Sequence, residues 1–265
     1  MRETFHFTAG TTPLLISIPH CGTFIPPEIA ARMTPEALAV PDTDWHVEKL
    51  YDFVPALGAG LITATHSRYV VDLNRDPSGR PLYPGADNSE LVPLKTFASE
   101  PIYRDGQEPD DAEIAARRET YWRPYHDKIA TELARLRDRF GVAILWDGHS
   151  IISEAPRFFE GRLPDFNLGT GKGATADSGL TARIMDVLNG AEGFTAILNG
   201  RFTGGYITRH YGQPGAGIHA LQLEMAEIAY MEEGPPFAWD PSRAENLTDV
   251  LRRVVAALID WAAGV

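Results

Sequence analysis

Three stretches of this sequence each bring a chemically capable side chain to the end of an apolar run. Leu14-Leu15-Ile16-Ser17-Ile18 leads into Pro19-His20-Cys21-Gly22, and Val142-Ala143-Ile144-Leu145-Trp146 leads into Asp147-Gly148-His149-Ser150. His219-Ala220-Leu221-Gln222-Leu223 is followed by Glu224. In open α/β sheets ligands bind beyond the carboxyl ends of the strands, so His20, His149 and Glu224 are expected on one rim. A catalytic zinc takes three protein ligands and keeps a fourth position for water. Two imidazoles and a basic carboxylate supply most of such a centre. The third ligand is expected near the start of the first helix, where Asp42-Thr43-Asp44-Trp45 lies. Asp44 is preferred because it directly precedes the helical pattern, although it serves equally well as a helix N-cap. Asp42 is the alternative, with capping as its other role, and Glu48 and His46 are lesser candidates.

Each residue has a plainer explanation. A single histidine is more often structural than metal-ligating, and it is the pair of glycine-flanked histidines at strand ends that favours the metal reading. Glu224 is harder to explain structurally, since a buried carboxylate needs a partner. Cys21 reads as a small buried filler rather than a nucleophile. Rival motifs fail on their spacing. Gly148-His149-Ser150-Ile151-Ile152 has Ile where a nucleophile elbow needs its second glycine. Gly169-Thr170-Gly171-Lys172-Gly173 lacks the spacing of a phosphate loop and the hydroxyl residue after its lysine.

These side chains need a scaffold to hold them. Besides the three runs above, Leu61–Ala64, Tyr69–Leu73 and Phe194–Leu198 read as strands. The strongest helical pattern covers 111–140, with Tyr121, Tyr125, Ile129, Leu133, Leu136 and Phe140 on one face and Gly141 as its stop. Trp45–Leu57, Leu180–Leu188 and Ala244–Trp261 are also expected to be helical. Near-continuous apolar strands alternating with helices predict an α/β fold, a mostly parallel mixed sheet with helices on both faces. Residues 1–265 read as one domain. The Pro-, Gly-, Asp- and Ser-rich stretch 77–110 is a long excursion, of the kind that forms active-site walls.

Composition narrows the partners. A formal net charge of −12 disfavours nucleic acid and anionic membrane surfaces. Arg68, Arg75, Arg157, Arg162, Arg201 and Arg209 nonetheless cluster in the middle of the chain, so a local cationic site is compatible with the total. No apolar run reaches the length of a membrane span. The first residues lack the pattern of a secretory signal, and a single cysteine excludes an intrachain disulfide. Cytoplasmic residence is the expectation.

With these residues in place, the sequence resembles the N-formylglutamate amidohydrolase (N-formylglutamate deformylase) family. The likeness is carried by Ile18-Pro19-His20-Cys21-Gly22, Asp42-Thr43-Asp44-Trp45, Ser67-Arg68-Tyr69-Val70-Val71-Asp72-Leu73-Asn74-Arg75, Trp146-Asp147-Gly148-His149-Ser150, Pro164-Asp165-Phe166-Asn167-Leu168-Gly169-Thr170 and Leu221-Gln222-Leu223-Glu224. The block from Ser67 to Arg75 is the most specific of these. Thr175 departs from the pattern, at a peripheral position where a cysteine is common. The resemblance implies a zinc-exopeptidase-like (phosphorylase/hydrolase-like) fold and one Zn²⁺ per chain. It also implies hydrolysis of N-formyl-L-glutamate to formate and L-glutamate, a late step of histidine breakdown. On that reading His20, a carboxylate (Asp44, with Asp42 as the alternative) and His149 hold the metal and Glu224 is the general base. The substrate is a small dianion, so cationic clamps are required; Arg68, Arg75, Arg157 and Arg209 are the candidates, with Asn74 as a polar positioner. Arg75 has the competing option of pairing with Asp72 or Asp76. The alternatives are the same chemistry on another N-acyl amino acid or a peptidoglycan amide, or a metal-free binding protein on this scaffold.

Overall fold

The computed structural model describes residues 2–82, 85 and 88–265. Tyr83, Pro84, Ala86 and Asp87 of the 77–110 excursion lie outside the described residues. The apolar runs form β1 (Phe5–Thr8), β2 (Leu14–Ile18), β3 (Gly60–Ala64), β4 (Ala143–Ile151), β5 (Phe166–Gly169), β6 (Ala196–Leu198) and β7 (Ile218–Ala226). They join in one seven-stranded sheet ordered β1-β3-β2-β4-β7-β5-β6. The centre, β3-β2-β4-β7, is parallel. β1 runs antiparallel to β3 at one edge, and at the other β5 runs antiparallel to β7 with β6 parallel to β5. The expected mostly parallel mixed sheet is therefore present.

The helices are α1 (Pro27–Ala30), α2 (Pro35–Leu38), α3 (Val47–Leu50), α4 (Asp111–Arg117), α5 (Arg123–Phe140), α6 (Ser178–Asn189), α7 (Tyr206–Tyr211) and α8 (Pro241–Ala262). Alternation along the central strands feeds two cores, which is why these strands are apolar at almost every position. Leu14, Ile16, Ile18, Ile144 and Trp146 pack with Val47 and Leu50 of α3, Leu180 and Ile184 of α6, and Leu247, Leu251 and Val254 of α8. Leu15, Ala143 and Leu145 face the opposite way, against Tyr125, Ile129, Leu133 and Leu136 of α5 and Ile207 of α7. The start of α8 is fixed by Asp240, whose carboxylate accepts from the backbone N–H groups of Ser242 and Arg243, with Pro241 next to it. Gly141, at φ 82°, ends α5 in the left-handed conformation expected of it.

Several expectations need correction. The 111–140 pattern is helical but interrupted by a π turn at Arg118–Trp122 between α4 and α5. Trp45–Leu57 holds only the single turn of α3 and a 3₁₀ turn at Val54–Leu57, where Pro55 cannot continue a helix. Tyr69–Leu73 is not a strand. Its backbone is satisfied by turns and loops: Val70 N–H donates to Ser67 O and Asp72 N–H to Leu91 O. These residues are apolar because the segment is buried, not because it joins the sheet. β4 and β7 also run further than their apolar patterns suggested. As a result His149 and Glu224 sit within strands rather than after them. β1 and β5 were not anticipated.

Candidate metal centre and active site

Strand register decides which side chains meet. In the parallel β4–β7 pair, Asp147 is opposite Gln222 and His149 is opposite Glu224. With side chains alternating along each strand, these four project from one face. His20 follows β2, the other neighbour of β4. Its turn is locked: a Cβ on Gly22 would stand 2.4 Å from the His66 carbonyl oxygen, so only glycine fits there. Asp44 is tied to the same turn, its N–H donating to His20 O at 3.1 Å.

His20, Asp44 and His149 are buried, and each can offer one ligand atom such that the three lie within 4.8 Å of one another. The ring orientations are set from behind. His20 Nε2 donates to Asp72 Oδ1 at 2.8 Å, and His149 Nε2 donates to Asp147 Oδ2 at 2.9 Å. Both Nδ1 atoms are thereby left facing Asp44 Oδ2, at 3.7 Å for His20 and 3.0 Å for His149. Metal-ligating histidines characteristically donate their second ring N–H to a carboxylate in this way. The donor set, two imidazole nitrogens and one carboxylate oxygen, fits an open zinc site.

The electrostatics agree. Burial alone would lower the His149 pKa, but Asp147 and Asp44 outweigh it and push it well above the usual imidazole value. Asp44 responds in the opposite sense: burial raises its pKa, while His20 and His149 pull it well below the usual carboxylate range. Asp72 is also held well below that range, because Arg68 and His20 overcome its burial. A positive charge is thus favoured where the Nδ1 atoms and Asp44 meet, and a divalent cation satisfies that condition as a proton does. Glu224 differs. Burial pushes it up to about 7, with His149 opposing and Asp44 adding to the shift.

A cleft opens over this group, bordered by His20, His149, Gln222 and Glu224. Arg68, Asn74 and Arg75 also border it. Arg68 is buried, donating to Asp72 Oδ2 at 2.7 Å and lying 3.6 Å from Asp44 Oδ1, with its guanidinium 4.8 Å from the Phe97 ring centroid. Arg75 lies at 4.0 Å from Asp72 and donates to the carbonyls of Ser89 and Asn74. Asn74 is turned inward, its Nδ2 3.3 Å from Asp147 Oδ2. Arg157 and Arg209 do not border the cleft: Arg157 donates to Thr96 O, and Arg209 to Leu82 O and Thr203 Oγ1. Asp42 is directed elsewhere as well, its Oδ2 accepting from Phe97 N–H at 2.8 Å. His46 Nε2 meets Phe237 O, and Cys21 packs its sulfur against the carbonyls of Ile18 and Ala64.

Four neighbours of the site were assigned no place in it from the sequence: Asp72, Asp147, Gln222 and Arg201. Asp147 stands two residues before His149, and Asp72 lies in the Ser67–Arg75 block, so a search for carboxylates behind the histidines would have found both. Gln222 is signalled by strand period, two residues before Glu224. Arg201 borders the cleft together with Phe158 and Phe202, and its position depends on loop conformation that no periodicity reports.

A model of the N-formylglutamate amidohydrolase family matches residues 12–231, a span that includes His20, Asp44, His149 and Glu224. The chain belongs to the N-formylglutamate amidohydrolase family. It is 49% identical over 261 residues to an N-formylglutamate deformylase of Pseudomonas aeruginosa, covering 98% of each chain. It is 46% identical over 263 residues to one of Pseudomonas putida, covering 99% of this chain and 98% of the relative. The crystal structure of N-formylglutamate amidohydrolase from Ralstonia eutropha JMP134 superposes with a TM-score of 0.79 at 26% identity, covering 96% of this chain and 98% of that one. A protein of Agrobacterium tumefaciens shares the fold, with a TM-score of 0.73 at 17% identity over 98% of this chain and 96% of its own. Among the described residues of this family member, no helix is long and apolar enough to cross a membrane.

Proposed function

We propose that this chain hydrolyses the formyl amide of N-formyl-L-glutamate, releasing formate and L-glutamate. The observation that carries the reading is the convergence of His20 Nδ1, Asp44 and His149 Nδ1 beside Glu224 in a member of this family. Relatives named N-formylglutamate deformylase at 46% and 49% identity support the substrate. His20, Asp44 and His149 would hold one zinc ion per chain. When bound there, zinc supplies Lewis acidity and lowers the pKa of a water in its open position. Glu224 accepts the proton of the attacking water and delivers it to the departing amine nitrogen, so that glutamate leaves with a neutral or protonated amine. Asp72 and Asp147 keep the imidazoles in the tautomer that presents Nδ1. Residues 1–265 act as one hydrolase domain. The 77–110 excursion serves as the wall of the site, a role supported by Leu82, Asn88, Ser89 and Phe97 on the cleft border. A single cysteine fits a cytoplasmic home.

The substrate carries two carboxylates. Arg68, Arg75 and Arg201 on the cleft border are the clamps, with guanidinium suited to bidentate pairing. Arg75→Met is expected to cost about 2 kcal/mol in kcat/KM, the scale of one hydrogen bond to a charged group. A substrate analogue with the contacted carboxylate converted to an amide should lose a similar amount with the unaltered enzyme and little more with the variant. Additive losses would show that Arg75 and that carboxylate do not meet. The metal requirement is tested by stripping the protein with a chelator and titrating zinc back. Formate release should vanish and return as zinc approaches one equivalent; full turnover by metal-free protein would reject the zinc reading.

A further inference from the structure

We infer that Gln222 is a positioning residue for Glu224, held in its working orientation by the amino end of α7. Gln222 Oε1 accepts the backbone N–H of Gly205 at 2.6 Å. An amide whose oxygen is committed to an N–H can present only its NH₂ elsewhere, and Gln222 Nε2 donates to Glu224 Oε2 at 2.9 Å. One oxygen of the Glu224 carboxylate is therefore pinned, which leaves the other to meet the reacting water. The same turn of chain repeats the device on the metal side. Asn74 Oδ1 accepts the N–H of Ile207 at 2.8 Å, which places Asn74 Nδ2 3.0 Å from His149 Nε2 and 3.3 Å from Asp147 Oδ2, behind the imidazole. The close fit at this turn is visible in Gly205, where a Cβ would stand 2.3 Å from Asn74 Nδ2. Neighbouring Gly204 has φ 106° and follows the chain past Gly169, whose Cβ would meet Gly204 N at 2.5 Å. The segment ahead of α7 is thus packed backbone to backbone, and two amide side chains carry its orientation into the site.

This inference rests on the assignment of Glu224 as the general base, and its test separates the two. Gln222→Met keeps the side-chain length while removing both hydrogen bonds; it is measured alone and combined with Glu224→Gln in the zinc-loaded enzyme. Gln222→Met should lower kcat roughly 10- to 100-fold with KM within about twofold, the effect of losing one hydrogen bond to a charged group. Its zinc content should stay at that of the unaltered enzyme. In the Glu224→Gln background the same substitution should cost less than about twofold, since a residue that acts through Glu224 has nothing left to position. Losses that multiply in the double variant, or a change confined to KM, would overturn the positioning role. Gln222→Asn, which keeps an amide on a shorter stem, provides a second arm if the methionine variant folds poorly: the same kcat-only loss and the same non-additivity are expected, and a kcat equal to that of the unaltered enzyme would overturn it. If Glu224→Gln alone leaves turnover intact, the base assignment fails instead.

Discussion

Glu224→Gln is expected to lower kcat by about 10²- to 10⁴-fold, the loss typical of removing a general base, with zinc content and fold retained. The substitution keeps the shape, the strand pairing with His149 and the contact with Gln222, and removes only basicity. Zinc should stay because the converging ligand atoms come from His20, Asp44 and His149. The pH profile gives the sign. Burial pushes Glu224 up to about 7 in the metal-free site, and a nearby cation lowers it from there. The base works only when deprotonated, so kcat/KM should fall as pH drops through an apparent pKa at or below about 7. The variant should lose that limb. Loss of zinc with the substitution would make Glu224 a ligand, and undiminished turnover would move the base elsewhere.

His149→Ala is expected to abolish stoichiometric zinc binding and activity together. His149 links Asp44 Oδ2 and Asp147 Oδ2 in the hydrogen-bonded chain, at 3.0 and 2.9 Å. Its removal leaves two buried carboxylates facing a gap, so the metal-free variant should also lose about 3 kcal/mol of stability, as when one partner of a buried charge pair is deleted. Circular dichroism should nevertheless report an intact fold, since the two apolar cores on either face of the sheet do not include this residue. Among the carboxylates, Asp44→Asn should weaken zinc binding far more than Asp42→Asn, because Asp44 faces both imidazoles while Asp42 accepts from Phe97 N–H. The reverse ranking would transfer the role to Asp42.

Much of the site was legible in the sequence because it follows from strand chemistry. A parallel strand buried on both faces is apolar almost throughout, so a histidine or glutamate at its carboxyl end stands out, and His20, His149 and Glu224 were found in that way. Asp44 was preferred for standing before a helix, and the structure brings it to both histidines although α3 is only one turn long. What resisted reading was carried by segments without a period. The Ser67–Arg75 segment is apolar enough to imitate a strand, yet it folds through turns that bury Asp72 and Arg68 against the site. The arginines could be counted but not aimed: Arg68, Arg75 and Arg201 border the cleft, while Arg157 and Arg209 do not. Charge type is local information; the direction of a long side chain on a loop is tertiary.

The central claim is tested most directly by formate release. Zinc-loaded protein is incubated separately with N-formyl-, N-acetyl- and N-succinyl-L-glutamate, and both products are quantified. The account predicts equimolar formate and L-glutamate from the formyl substrate, with much slower cleavage of the acetyl and succinyl compounds. Absence of formate from N-formyl-L-glutamate, with the protein folded and its zinc in place, would contradict it.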